Sequence, residues 1–291
     1  MTWVIATLIA AAAQTARNAT QTGLTRAIGT LGATQVRFLF GLPFAILFLA
    51  LMRLVLGEPI PALHAVSLGF TAIGAVAQIA ATAVMLLVMQ RQGFGLATAL
   101  LKTEPVIVAL VGWAVLGDRL TPLMLLAIVI ATAGVLIISG IKRGGRGIAP
   151  VALGLLAGAL FGLSAIGFRG GIVHLETGGF LIRAGTILVV ALCLQTAMLM
   201  AWMAAFHRAA IAASFRVWRT SLLAGFLGAF ASQFWFIGFA LTSAANVRTL
   251  ALVEVLLAQA VAVIVMGQRT TARQWLGMIV LLAGVGLLLQ A

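Results

Sequence analysis

Apolar runs of about twenty residues follow one another along this 291-residue chain with only short polar breaks, and that succession decides what the chain can become. With 63% hydrophobic and 8% charged residues, a globular surface cannot be covered by polar groups. The chain therefore dissolves in lipid, and no stretch is left over for a soluble domain. Hydrocarbon offers no partner for a backbone N–H or C=O, so the spanning elements are helices. Ten spans are predicted, near 3–20, 33–55, 65–89, 94–116, 121–140, 148–172, 178–205, 217–241, 246–266 and 272–290.

Several breaks have a local cause. Gly57, Glu58, Pro59 and Pro61 stop the second span, because proline lacks an N–H and pushes its predecessor out of the helical region. Gly117 and then Thr121-Pro122 give a helix C-terminus followed by an N-cap and a first-turn proline, which predicts a tight helical hairpin. The basic, glycine-rich block at 142–147 is the longest interruption and divides the chain in two.

The two parts echo each other. Residues 100–121, LLKTEPVIVALVGWAVLGDRLT, shift by 150 positions onto residues 250–271, LALVEVLLAQAVAVIVMGQRTT. Glu104 falls on Glu254, Gly117 on Gly267, Arg119 on Arg269 and Thr121 on Thr271, and the match runs on through Ala133-Gly134-Val135 to Ala283-Gly284-Val285. Arg37 and Arg183 form a second echo, each early in a long apolar run. The expectation is an all-α polytopic membrane protein whose repeats are residues 1–146 and 147–291. Five spans per half is an odd number, so the second copy enters the membrane from the opposite side. Inverted repeats of this kind place a binding site at the midplane, around a central cavity.

The charge balance, 18 Lys+Arg against 5 Asp+Glu, would suggest nucleic acid in a soluble protein. Here most basic residues sit at span ends, where membrane lipid head groups and the positive-inside bias account for them. Loop charges place Arg26, Arg91, Lys142, Arg143, Arg146, Arg208, Arg216, Arg219, Arg269 and Arg273 on one side, against Arg53, Arg119 and Arg169 on the other. That asymmetry favours both termini outside. The single Cys193 excludes an intrachain disulfide, and His64, His174 and His207 are not spaced as metal ligands. With no phosphate-binding loop, dinucleotide fingerprint or nucleophile elbow in a suitable context, neither an enzyme nor a cofactor or metal is expected.

The paired segments LLKTEPVIVALVGWAVLGDRLTP and LALVEVLLAQAVAVIVMGQRTT, each followed by a span with Ala-Gly-Val, resemble the repeated segment of EamA-type transporters in the drug/metabolite transporter superfamily. Arg37 and Arg183 also look like the arginine these repeats carry early in their second span. The resemblance covers both halves. It implies a secondary transporter of the bacterial inner membrane that exports small metabolites by alternating access. Its amino-acid exporters are the nearest likeness, which implies neutral and aromatic amino acids as cargo, a monomer, and a proton as a candidate coupling ion. A multidrug or cationic-metabolite exporter of the same fold, and a non-transporting membrane scaffold, are the alternatives.

A carboxylate at the centre of a membrane helix costs about 2.5–3.5 kcal/mol, so Glu104 and Glu254 must face protein or water. They read either as substrate or proton sites, or as structural ion pairs with Arg37, Arg183 or Lys102. Lys102 has no basic counterpart at position 252 and is a candidate for a substrate carboxylate. Pro105 removes a helix donor next to it, a break with no counterpart at Val255. Gln78, Ser232, Gln233 and Trp235 supply amide, hydroxyl and indole groups to a pocket or to interhelical hydrogen bonds. Phe234, Trp235, Phe236 and Phe239, with Trp113, form a candidate apolar wall. Arg17, Asn246 and Arg248 read as interfacial anchors and caps. Gly154, Gly158 and Gly162 form a small-residue stripe suited to close helix contact.

Overall fold

The computed structural model describes residues 1–92, 102, 104–139, 148–257 and 270–291. The basic block at 142–147, Leu101 and the stretch 258–269 lie outside them. Every regular element described is a helix. In chain order these are α1 (Thr2–Leu39), α2 (Leu42–Leu56), α3 (Ala65–Gln92), α4 (Glu104–Leu116), α5 (Pro122–Ser139), α6 (Ile148–Val173), α7 (Phe180–Phe206), α8 (Arg208–Arg216), α9 (Trp218–Leu241), α10 (Ala244–Leu250), a 3-10 turn (Ala251–Val253) and α11 (Ala272–Leu288).

Five helical stretches are long and apolar enough to cross a membrane: Leu31–Leu56, Ala65–Met85, Ala152–Val173, Phe180–Phe206 and Trp218–Leu241. Shorter apolar helices cover Glu104–Leu116, Pro122–Ile138 and Ala272–Leu288. The first span does not stop near residue 20. Helix continues to Ile28 and breaks at Gly29, where φ is 72°. The polar stretch before Gly29 holds no proline, so nothing ends the helix until a residue adopts a backbone conformation open mainly to glycine. Helix also appears where a loop was expected, as α8 between the seventh and eighth predicted spans.

Two terminators act as the sequence implies. Gly57 closes α2 in the left-handed conformation, its N–H bonded to the Arg53 carbonyl. Gly117 turns with φ of 66°, and the Thr121 hydroxyl then accepts the Met124 N–H at 3.1 Å to start α5.

Packing divides the chain into two compact units, Met1–Val76 with Gly167–Leu241 and Ala77–Ile166 with Thr242–Ala291. These are not the halves of the sequence. Each unit combines pieces of both, and α3 and α6 each contribute to both units.

In the first unit α1 packs along α9, with Leu24, Ala33, Val36 and Ala224 at the centre. A ladder of rings joins α2 to α9, from Phe44 to Phe226 at 5.2 Å and from Phe48 to Phe230 at 6.4 Å. The ends of α3 and α6 touch through glycine, since a Cβ on Gly167 would lie 2.6 Å from the Gly74 nitrogen.

In the second unit α5 and α11 pack along their lengths. Gly134 lies against the backbone of Leu281, and Gly284 against the backbone of Ala131, neither with room for a Cβ. These two approaches exchange under the 150-position offset seen in the sequence. Gly162, from the α6 stripe, fits over α4, where a Cβ would lie 3.0 Å from Val108 and 3.8 Å from the Glu104 side chain.

Candidate functional site

Glu104 is the first residue of α4, and Lys102 sits in the turn before it. Pro105 occupies the first helical turn, where its missing N–H has no intrahelical acceptor to lose. On the other segment, the Ser243 hydroxyl caps α10 by accepting the Asn246 N–H at 3.2 Å, and the Asn246 amide donates to the Thr242 hydroxyl at 3.0 Å. α10 then tightens into the 3-10 turn Ala251–Val253, and helix resumes at Glu254. The 150-position offset carries Lys102 onto Leu252, inside that turn. An irregularity therefore stands in the second segment at the position matching Lys102. It is made by i→i+3 bonding instead of proline, and such tight turns inside helices mark sites under functional or packing demand.

These irregular segments bring four charges together. Lys102 Nζ lies 3.2 Å from Glu254 Oε1, and Arg248 Nε lies 2.9 Å from Glu104 Oε1. Each pair takes one charge from each segment, so the pairs cross and hold the segments in register. Side-chain exposure is 13–15% for all four groups. The two contacts join two basic and two acidic side chains, whose formal charges balance. Taking such charges out of water is costly, and removal of one partner leaves its mate buried and uncompensated.

Of the residues singled out in the sequence, Lys102, Glu104 and Glu254 meet here. Arg248 completes the cluster, although its position at the start of a span reads as an anchor. Its partner lies in a distant part of the chain, so nothing local marks it. The sequence expectation offered Arg37, Arg183 or Lys102 as partners of the glutamates; Lys102 pairs with Glu254, and Glu104 pairs with Arg248. Arg37 is on α1, its guanidinium carbon 5.3 Å from the centre of the Phe38 ring. Arg183 is on α7, with a buried Nε that finds no hydrogen-bond acceptor among the described residues.

Gln78 lies on α3 in the same unit as the charge cluster, and its carbonyl accepts the Thr82 hydroxyl. Ser232, Gln233 and Trp235 lie on α9 in the first unit, all buried. Trp235 Nε1 donates to Gln14 Oε1 on α1 at 3.1 Å, while the Gln233 amide points to Met52 Sδ on α2. Trp235 and Gln233 thus make interhelical contacts within that unit. Phe236 and Phe239 are buried there too, with Phe236 4.9 Å from Phe168. Trp113 is 60% exposed, so it does not form part of an enclosed aromatic wall. Arg17, read as an anchor, is 6% exposed within the first unit.

Comparisons with known proteins bear on what this arrangement does. Residues 1–140 match the EamA-like transporter family. That family implies a membrane transporter of the drug/metabolite transporter superfamily and speaks for transport over enzymatic chemistry. Together with the five helices long and apolar enough to cross a membrane, that match supports a multi-pass membrane protein. No curated protein matches the chain. A crystal structure of a protein superposes with a TM-score of 0.73, covering 98% of this chain and 95% of the other at 13% identity, which is a likeness of fold.

Proposed function

We propose that this chain, whose first 140 residues match the EamA-like transporter family, is a secondary transporter that exports small zwitterionic metabolites, with neutral and aromatic amino acids as its cargo. The observation that carries the reading is the crossed cluster of Lys102, Glu104, Arg248 and Glu254. A zwitterion brings one carboxylate and one ammonium. It can therefore replace a glutamate at Lys102 or Arg248 and a cation at Glu104 or Glu254 while leaving the cluster neutral. A lone cation would leave the site with an excess charge beside two basic groups, which disfavours cationic drugs.

In this reading the chain has ten spans in two inverted five-helix repeats and works as a monomer in a bacterial inner membrane, with alternating access between the repeats. Support comes from the 150-position echo and from the exchange of the Gly134 and Gly284 contacts under the same offset. Gln78, in the same unit as the cluster, is a further candidate for substrate contact.

The test is flux in proteoliposomes loaded with labelled phenylalanine, threonine or a cationic drug. Saturable release of phenylalanine and threonine, diminished by Lys102→Ala, is the expected result. Release of the drug alone rejects the zwitterion, and no release of any compound rejects transport.

A further inference from the structure

The helix α8 was not expected, and neither the ion-pair cluster nor the transport reading accounts for it. It joins α7 and α9, both long and apolar enough to cross a membrane, so it lies where the chain leaves one span and enters the next. Nine residues at 1.5 Å rise make a rod about 13 Å long. One face is turned inward. Ser214 is buried, Ala210 and Ile211 are half-buried, and the helix packs on α1, with Phe215 5.4 Å from Phe40. At helical spacing the opposite face carries Arg208, Ala209, Ala212 and Arg216, all exposed, with Phe215 at its edge, in contact with Phe40 yet half open.

Arginines and aromatic rings lie at and beyond both ends of α8. Arg208 Nε donates to the Ala204 carbonyl at 2.7 Å, which ties its guanidinium to the end of α7. Arg216 ends α8, and Arg219 follows one residue after Trp218, its guanidinium carbon 5.5 Å from the centre of that ring. Trp202, Phe206 and Trp218 are exposed on either side, the aromatic residues expected at head-group level. The sequence from 177 to 253 contains no Asp or Glu at all, so no carboxylate in that stretch competes for the three arginines.

We propose that α8 lies along the membrane surface and that Arg208, Arg216 and Arg219 form a basic docking surface for the phosphate head groups of anionic phospholipids, whose chains run beside Phe206, Phe215 and Trp218. An anionic lipid fits because the face is positive and uncompensated by nearby acids, and because its apolar rim is continuous with two spans.

The test uses the full chain in mild detergent, titrated with phosphatidylglycerol or phosphatidylcholine, with bound lipid counted by native mass spectrometry. The wild type should retain phosphatidylglycerol in preference to phosphatidylcholine. The triple variant Arg208→Gln, Arg216→Gln, Arg219→Gln should lose at least about tenfold of that preference, since each surface arginine contributes roughly fivefold. The Arg→Lys triple variant should keep most of it, and Arg53→Gln, an exposed arginine at the end of α2, should keep all of it. Equal preference in the Gln triple variant, or the same loss in Arg53→Gln, overturns the proposal. Displacement of the bound lipid by inorganic phosphate at matched ionic strength also overturns it, because the site would then hold an anion and not a lipid.

Discussion

Gly134 on α5 rests directly on the backbone of Leu281 on α11, with no space for even a methyl group between them. The same relation recurs between Gly284 and Ala131, so two glycines set the separation of this helix pair. Gly134→Ala and Gly284→Ala should each destabilise the protein by about 1–3 kcal/mol through forced separation of the helices. Gly286→Ala on the same helix meets nothing within 4 Å and should be neutral or slightly stabilising. Thermal unfolding of the detergent-solubilised variants reads the difference, and equal melting of all three contradicts the contact.

The crossed charges predict a characteristic pattern of rescue. Glu254→Gln leaves Lys102 without its mate and should cost about 3–5 kcal/mol or reduce the folded yield sharply. The exchange Lys102→Glu with Glu254→Lys restores the pair and should recover much of that loss while leaving substrate release impaired, since the charges now face the substrate in reversed order. Size-exclusion yield and proteoliposome flux separate the two effects. Full flux in the exchanged variant would mean that the pair is structural only.

Arg248 was not singled out as a site residue, and it makes the stronger test of the cluster. Arg248→Gln should weaken substrate release at least as much as Lys102→Ala, with a rise in apparent KM, because it removes the charge that holds Glu104. An unchanged KM would exclude it from the binding region.

Trp235→Phe removes the indole N–H that donates to Gln14, a loss of about 0.5–1.5 kcal/mol that comes on top of the packing lost with the smaller ring. Gln14→Leu should lose that hydrogen bond alone, and the double variant should cost little more than Trp235→Phe, which a double-mutant cycle on unfolding measures.

Local chemistry was legible in the sequence. Gly57, Gly117 and the Thr121-Pro122 start all act through their own backbone, so a short window suffices to read them. The apolar character of the helices followed from composition in the same way, as did a protected place for Glu104 and Glu254. Pairings between distant segments were not legible. Arg248 meets Glu104 only because two irregular helix starts are brought side by side, and Trp113 is exposed because of the face that α4 presents. The 3-10 turn before Glu254 has no proline to announce it. Helix α8 was hidden for another reason: nine residues, RAAIAASFR, with an arginine at each end are too short and too polar to register as a span.

Each compact unit draws on both halves of the chain, and this sets the order in which the protein can be made. When the ribosome has produced the first 146 residues, neither unit is complete. The first closes only with Leu241 and the second only with the C-terminal helix. Half-built spans with open packing faces must therefore wait in the bilayer for partners not yet synthesised, so a nascent chain stalled at its midpoint is a natural target for membrane quality control. A gene cut after residue 146 should give two fragments that are each unstable alone and accumulate only when produced together.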